Sequence, residues 1–289
     1  MILKAPAKIN LYLEIINKRP DGYHNIESIM HTVALFDILE FDLNNNPKIE
    51  LSCSDKSLPV DSTNIVYKTA KKMQEKYNIK QGVAIHLTKN IPTGAGLGGG
   101  SSDSATTIKA LNEIWNINAS KEELESFAKT LGADVPFFLT GGTAKVEGIG
   151  EIVTKIPSKN NFFVVLVKPD FGVSTVYAYS KVKMPLTNQH EIHRITGALR
   201  EKAFTTQVAN ELLFNRFEEF IFPENLEIEK IKKTLESFGC ASLMSGSGAT
   251  VFALTSGQKE SEQIVKQLSI YKWNTWAVSS CELHENAGV

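Results

Sequence analysis

Between Ile91 and Ser102 the chain places five glycines in twelve residues: Ile91-Pro92-Thr93-Gly94-Ala95-Gly96-Leu97-Gly98-Gly99-Gly100-Ser101-Ser102. A helical pattern over 102–115 follows at once. Glycine lacks the Cβ that holds other groups away from the backbone, so something must approach this loop closely. The free N–H groups and partial positive charge of a helix start favour an anion there, and a nucleotide phosphate is the natural candidate.

Two common phosphate loops fit poorly. A P-loop needs Lys-Ser or Lys-Thr after its last glycine, and Ser101-Ser102 stands there instead. Gly94, Gly96 and Gly99 satisfy G-x-G-x-x-G, but a dinucleotide site also wants an acidic residue about twenty positions on, at the tip of the next strand. Glu113 comes too early, and Glu122 and Glu123 fall in another helical stretch. A ligand-free glycine linker is the plain alternative, yet it leaves the ending Ser101-Ser102-Asp103-Ser104 unexplained.

Charge and composition narrow the partners. Basic and acidic residues balance at 31 to 32, which argues against broad binding to nucleic acid or an anionic membrane. No stretch approaches the ~18 apolar residues of a membrane helix. Met1-Ile2-Leu3-Lys4-Ala5-Pro6 lacks the charged start and long apolar run of a signal peptide. Cys53, Cys240 and Cys281 are widely spaced without a CxxC, and read as reduced thiols of a cytoplasmic protein. A homodimer is compatible with the sequence, which does not set the oligomeric state.

The 289 residues suffice for one large or two medium domains. Residues 2–17 read as extended, 18–25 as a turn, and 27–41 and 48–53 as strands. A helix is expected over 63–78, and a half-buried strand around Val83, Ile85 and Leu87 leads into the glycine loop. Ser120-x-x-Glu123 is a capping box for a helix that ends near Leu131-Gly132. Pro157-Ser158-Lys159-Asn160-Asn161 is the linker candidate, dividing the chain into 1–157 and 158–289. Beyond it come a buried strand over 162–167 and a helix carrying Ile228, Ile231, Leu235 and Phe238. Then follow strands near 240–244 and 249–255, a helix over 258–269 and a strand over 273–281. This mixture predicts α+β layers rather than regular alternation.

Asp134 lies among apolar residues in Leu131-Gly132-Ala133-Asp134-Val135-Pro136-Phe137-Phe138. It reads equally as a partly desolvated carboxylate or as a turn residue before a proline. Lys8, in Ala5-Pro6-Ala7-Lys8-Ile9-Asn10-Leu11, is a lysine on an apolar strand, and Asn10 projects from the same face. A buried lysine needs a partner, whereas an ordinary strand lysine keeps its head in water. Ser101, Ser102 and Asp103 are expected to open the helix, one of them as its cap, with Ser102 the better oxygen for phosphate or Mg²⁺. Gly246-Ser247-Gly248 reads as a hairpin between strands. His190-x-x-His193 lacks a third metal ligand nearby and reads as a surface pair.

Pro92-x-x-x-Gly96-Leu97-Gly98-Gly99-Gly100-Ser101-Ser102 resembles the signature loop of the GHMP kinases, the superfamily of galactokinase, homoserine kinase and mevalonate kinase. The resemblance runs from about Leu3 to about Ala253. It implies an α+β, two-domain fold: an N-terminal ATP-binding domain, a ferredoxin-like C-terminal domain, and the active site in the cleft between them. It implies ATP as phosphate donor, with Mg²⁺ bridging phosphates held by Pro92, Thr93, Gly94, Ala95, Gly96, Leu97, Gly98, Gly99, Gly100, Ser101 and Ser102. Gly132-Ala133-Asp134-Val135-Pro136-Phe137 is similar to the segment of the catalytic aspartate. Lys8 would be the lysine that pairs with it and orients the acceptor hydroxyl, Asn10 a substrate contact, and Gly246-Ser247-Gly248 a loop closing over the phosphates.

Lys18-Arg19-Pro20-Asp21-Gly22-Tyr23-His24 suits a polar hairpin tip, but a Tyr-His pair is a poor turn filler and a good grip on a nucleobase. It resembles the turn with which the GHMP kinases acting on cytidine diphosphate methylerythritol hold cytosine. Tyr179, after Gly172-Val173-Ser174-Thr175, matches an aromatic on the other side of that base. The sequence departs from the family pattern at Ser101-Ser102-Asp103-Ser104-Ala105 and at Met30-His31-Thr32. Another kinase of the superfamily and a non-catalytic nucleotide sensor are the alternatives. The Gly-Tyr-His turn argues against the first, and the presence of both Lys8 and Asp134 against the second.

Overall fold

The computed structural model describes residues 1–158, 160–184, 186, 192–201 and 204–282. His190 of the paired histidines lies outside them, as does Lys159 of the linker. Among the described residues eleven strands form two sheets. The first contains β1 (Ile2–Lys18), β2 (His24–Asn44), β3 (Ile49–Cys53), β4 (Gly82–Thr88), β5 (Thr143–Gly148), β6 (Ile152–Lys155) and β8 (Phe214–Asn215), in the order β3-β4-β2-β1-β8 with β5 and β6 on a branch from β2. The second contains β7 (Phe163–Lys168), β9 (Ala241–Met244), β10 (Val251–Thr255) and β11 (Asn274–Ser279), in the order β11-β7-β10-β9.

The long hairpin of β1 and β2 is the spine of the first sheet. β4 pairs with one end of β2 and β5 with the other. Alternation along β1 sends Ala7, Ile9 and Leu11 into a core shared with Phe162, Leu166, Leu243 and Phe252 of the second half, so the two halves meet through one apolar layer. Lys8 and Asn10 therefore face the opposite side. Register shifts after Pro6 and after Asn10 bracket this stretch and re-aim its side chains.

The helices are α1 (Ile65–Lys76), α2 (Gly99–Ile114), α3 (Lys121–Lys129), α4 (Val135–Thr140), α5 (Thr175–Lys181), α6 (Ile192–Arg200), α7 (Thr206–Leu212), α8 (Glu218–Ile221), α9 (Leu226–Ser237) and α10 (Gln258–Leu268). Counting only the second sheet, its strands run 4-1-3-2. With α9 before its second strand and α10 before its fourth, that is the ferredoxin-like split βαβ arrangement. Among the described residues no helix is long and apolar enough to cross a membrane.

Three expectations need correcting. The helix after the glycine loop begins at Gly99, inside the glycine run, and its cap is Gly98 with φ 70° and no side-chain cap bond. Ser101 and Ser102 therefore lie within the first turns, and neither hydroxyl caps. Asp103, expected to open the helix, lies within it, buried and ion-paired to Lys89. The turn before β2 ends at Tyr23, so His24 opens a strand.

Candidate active site

A cleft of about 990 Å³ runs along the glycine loop. Pro92 through Ser101 line it, together with Lys8, Asn10, Tyr23, His24, Asp134 and Tyr179. Ser102 does not line it: it is fully buried, and its Oγ has no hydrogen-bond partner. Residues separated by up to 239 positions, from Lys8 to Ser247, thus converge on one concavity, since β1, the loop, the start of α4 and α5 all pass it.

The loop is held by backbone and by close packing. Ala95 and Leu97 are buried, Lys8 N donates to Leu97 O at 3.0 Å, and Thr250 N donates to Ala95 O at 3.2 Å. Gly96 has φ 73°, and a Cβ there would lie 2.1 Å from Ser245 O. Gly98 has φ 70°, and its Cβ would lie 2.7 Å from the Phe138 ring and 3.0 Å from Lys8 Cγ. These two glycines are required by neighbouring protein atoms, not by a ligand. Gly100, whose nearest neighbour to a Cβ is 3.7 Å away, is open. The N-terminus of the sixteen-residue α2 then presents its free N–H groups to the cleft.

Lys8 is 3 % exposed, so its charge must be satisfied internally. Nζ donates to Asn10 Oδ1 at 2.5 Å and to Gly96 O at 2.9 Å. Asn10 Nδ2 donates to Ser28 Oγ at 2.8 Å, and Ser28 donates to Tyr12 O. Asn10 is thus the fixed support of Lys8, with its amide already committed on both sides. Burial holds the Lys8 pKa below the ordinary lysine value, while the Asp134 carboxylate pushes it up. The two charges face each other without closing an ion pair within 4 Å, so the expected pairing is through the field alone.

Asp134 directly precedes α4, whose Val135, Pro136, Phe137 and Phe138 are buried. This apolar run plugs the core and leaves Asp134 half-buried at the cleft wall. Gly150, in the turn between β5 and β6, backs it so closely that a Cβ would sit 3.2 Å from Asp134 Oδ1. Among the described residues the carboxylate makes no hydrogen bond, which leaves it free for a substrate.

At one end of the cleft stands an aromatic wall. His24 stacks on Tyr179 with centroids 5.1 Å apart and an interplanar angle of 18°, and Tyr179 meets Phe217 edge-on at 4.9 Å. Burial, with Lys18 nearby, lowers the His24 pKa and so favours the neutral ring. Burial, with Asp134 adding to it, keeps the Tyr179 phenol protonated. Tyr23 is 60 % exposed at the mouth. The expected placement of Tyr179 across a base from Tyr23 and His24 differs in one respect: the ring face of Tyr179 is covered by His24 itself.

At the other end the lining residues Leu58, Pro59, Thr63, Asn64 and Ile65 escaped sequence reading. Their motif signal is slight, and Asn64, inside the helix expected over 63–78, is instead the cap of α1, accepting from Val66 N at 2.9 Å. Also missed was the buried triad beneath the loop. Lys89 pairs with Asp37 and with Asp103 at 2.9 Å, and Asp37 Oδ1 accepts from the amides of Asn90 and Ile91. Burial pushes the Asp103 pKa up to about 7 against the pull of Lys89, and Asp103 Oδ1 has no partner.

A free carboxylate, a buried ammonium, a helix start ringed by glycines and an aromatic stack are groups that phosphoryl transfer can use. Comparison with known proteins agrees. Residues 64–142 match the GHMP kinases N terminal domain and residues 198–272 the GHMP kinases C terminal domain. A 4-diphosphocytidyl-2-C-methyl-D-erythritol kinase of Clostridium beijerinckii is 44% identical over 88% of this chain and 90% of that protein. One of Bacillus subtilis is 39% identical over 95% of each. The crystal structure of a 4-(cytidine 5'-diphospho)-2C-methyl-D-erythritol kinase superposes with a TM-score of 0.83 at 30% identity, over 97% of this chain and 99% of that one. A homoserine kinase from Cytophaga hutchinsonii shares the fold, with a TM-score of 0.76 at 19% identity over 98% of this chain and 94% of that one. The chain belongs to the GHMP kinases and, within them, to the family of 4-diphosphocytidyl-2-C-methyl-D-erythritol kinases.

Proposed function

We infer that the chain uses ATP to phosphorylate the 2-hydroxyl of 4-diphosphocytidyl-2-C-methyl-D-erythritol, releasing the 2-phosphate and ADP in the methylerythritol phosphate route to isoprenoid precursors. The observation that carries this reading is the single cleft joining Lys8, Asp134 and the glycine loop to the His24–Tyr179 wall. The wall offers a cytosine an aromatic surface within the same cleft as the loop.

In this reading the N–H groups at the start of α2 and the loop 92–101 hold the ATP phosphates. The acceptor hydroxyl lies between Lys8 and Asp134. Its oxygen forms the new bond to the γ-phosphorus as the bond to the β-phosphate oxygen breaks, and its proton passes to Asp134. Lys8, fixed by Asn10 and Gly96 O, stabilises the charge that develops on the transferred group. Mg²⁺ would neutralise phosphate charge when bound. Asp103, a residue that lines the cleft and whose Oδ1 is a buried oxygen without a partner, is the protein group suited to it, whereas the Ser102 hydroxyl is turned away. Division into units 1–157 and 158–289 accompanies this reading, with the cleft between them.

Replacing His24 by alanine is expected to raise KM for the cytidine substrate about tenfold or more while kcat changes little, because the base grip is lost and the reacting centre is not. Steady-state kinetics with that substrate varied give the answer, and an unchanged KM removes the base-reading role.

A further inference from the structure

Asn215 connects the reacting centre of the cleft to its aromatic wall. It is 2 % exposed, and its side chain is fully engaged. Nδ2 donates to Met244 O at 2.6 Å and to Gly246 O at 2.8 Å, and Oδ1 accepts from Phe217 N at 3.0 Å. One amide therefore holds two separate segments.

The first segment leads to the reacting centre. Gly246 and Ser247 line the cleft, and a Cβ on Gly246 would lie 3.1 Å from Lys8 Nζ. Ser245 Oγ donates to Gly96 O at 2.9 Å, the same carbonyl that accepts from Lys8. The second segment leads to the aromatic wall, since Phe217 lines the cleft and packs on Tyr179, which stacks on His24.

Asn215 is itself anchored to the spine of the first sheet. β8 pairs parallel with β1, Leu13 opposite Asn215, and Arg216 N donates to Leu13 O at 2.9 Å. The buried Arg216 guanidinium makes two bonds of 2.7 Å to the Glu14 carboxylate, a bidentate clamp that fixes direction as well as distance. A rigid mount with three directed bonds is what a positioning residue needs.

We propose that Asn215 is a positioning residue that sets the loop 245–248 over the ATP phosphates and the Phe217–Tyr179 wall against the cytosine. The proposal rests on the functional reading above for the identity of the two ligands. Asn215→Asp and Phe217→Leu separate its halves. Aspartate keeps the acceptor for Phe217 N but loses both donated bonds and turns a carboxylate toward two carbonyls. Its ATP affinity should fall about tenfold, while KM for the cytidine substrate stays within about twofold of the parent. Leucine at 217 keeps the loop tether and loses the ring on Tyr179, so KM for the cytidine substrate should rise about fivefold with ATP affinity unchanged.

Calorimetric titration of ATP into the full chain reads the loop half without any acceptor, so failure of the tether and failure of the functional reading are told apart. Should Asn215→Asp not fold, Asn215→Ser, too short to span both segments and uncharged, should weaken both ligands. ATP affinity within about twofold of the parent in the Asn215 variant, or identical changes from Asn215→Asp and Phe217→Leu, overturns the proposal.

Discussion

Lys8 carries a buried charge whose nearest partners are an amide and a backbone carbonyl, so the ammonium is positioned independently of Asp134. That separation keeps the carboxylate free and predicts divided labour. Asp134→Ala should lower kcat by about 10²–10⁴-fold, the usual worth of a positioned general base, with KM for ATP within about threefold. Near-parental turnover in steady-state ADP release would remove Asp134 from the chemistry. At this scale the residues left Lys8 and Asp134 open between a site and an ordinary strand or turn role, and the family resemblance supplied the choice; the structure brings both, with His24, to one cleft. Ser102 was misjudged because the helix starts three residues before it, turning its hydroxyl inward. The His24–Tyr179 stack was beyond reach, since nothing in either segment encodes a contact across 155 positions.

Among elements, the glycine loop is a packed joint before it is a ligand cradle. Gly96 at φ 73° lies against Ser245 O, whereas Gly100 is helical and open. Gly96→Ala should therefore cost at least about 1–3 kcal/mol from backbone conformation alone, and weaken ATP binding by pushing the two loops apart. Gly100→Ala should be neutral or stabilising by up to about 1 kcal/mol, since alanine is the better helix former. Urea unfolding of both variants checks this, and equal stabilities would contradict it. Long elements were readable from their periodicity, as in α9, where Ile228, Ile231 and Leu235 are all buried. The six-residue α4, the seven-residue α5 and the two-residue β8 are too short to show a period. Their places follow from tertiary packing: α4 from Phe137 and Phe138 in the core, β8 from pairing with β1.

Across the whole molecule the two halves are laced together at the end opposite in sequence from the linker. Ser280 bridges to Val33, Cys281 N donates to Thr32 O at 3.0 Å, and Thr32 Oγ1 donates to Cys281 O. His31 lies in this seam, fully buried, hydrogen-bonded through Nδ1 to Thr143 and edge-on to Phe162. Its Nε2 has no partner, and burial lowers its pKa to about 4. The unfolded chain takes up this proton first on acidification, so the contribution is complete above about pH 6.5 and is lost as pH falls through 4. Urea unfolding should lose about 3 kcal/mol more over that range in the parent than in His31→Gln. Parallel pH profiles for the two would show that His31 is not buried neutral.

The α+β mixture was visible in the order of strands and helices, but the joining of β8 to the first sheet was not, because a chain of mixed elements does not state which sheet each strand enters. In the proposed function one cleft reads cytosine at one end and transfers phosphate beside Lys8 and Asp134. The most direct test is ADP release by the purified chain with ATP and Mg²⁺, offered 4-diphosphocytidyl-2-C-methyl-D-erythritol, homoserine and mevalonate in turn. Turnover with the cytidine compound alone is the predicted result. Turnover with homoserine or mevalonate, or with none of the three, would contradict it.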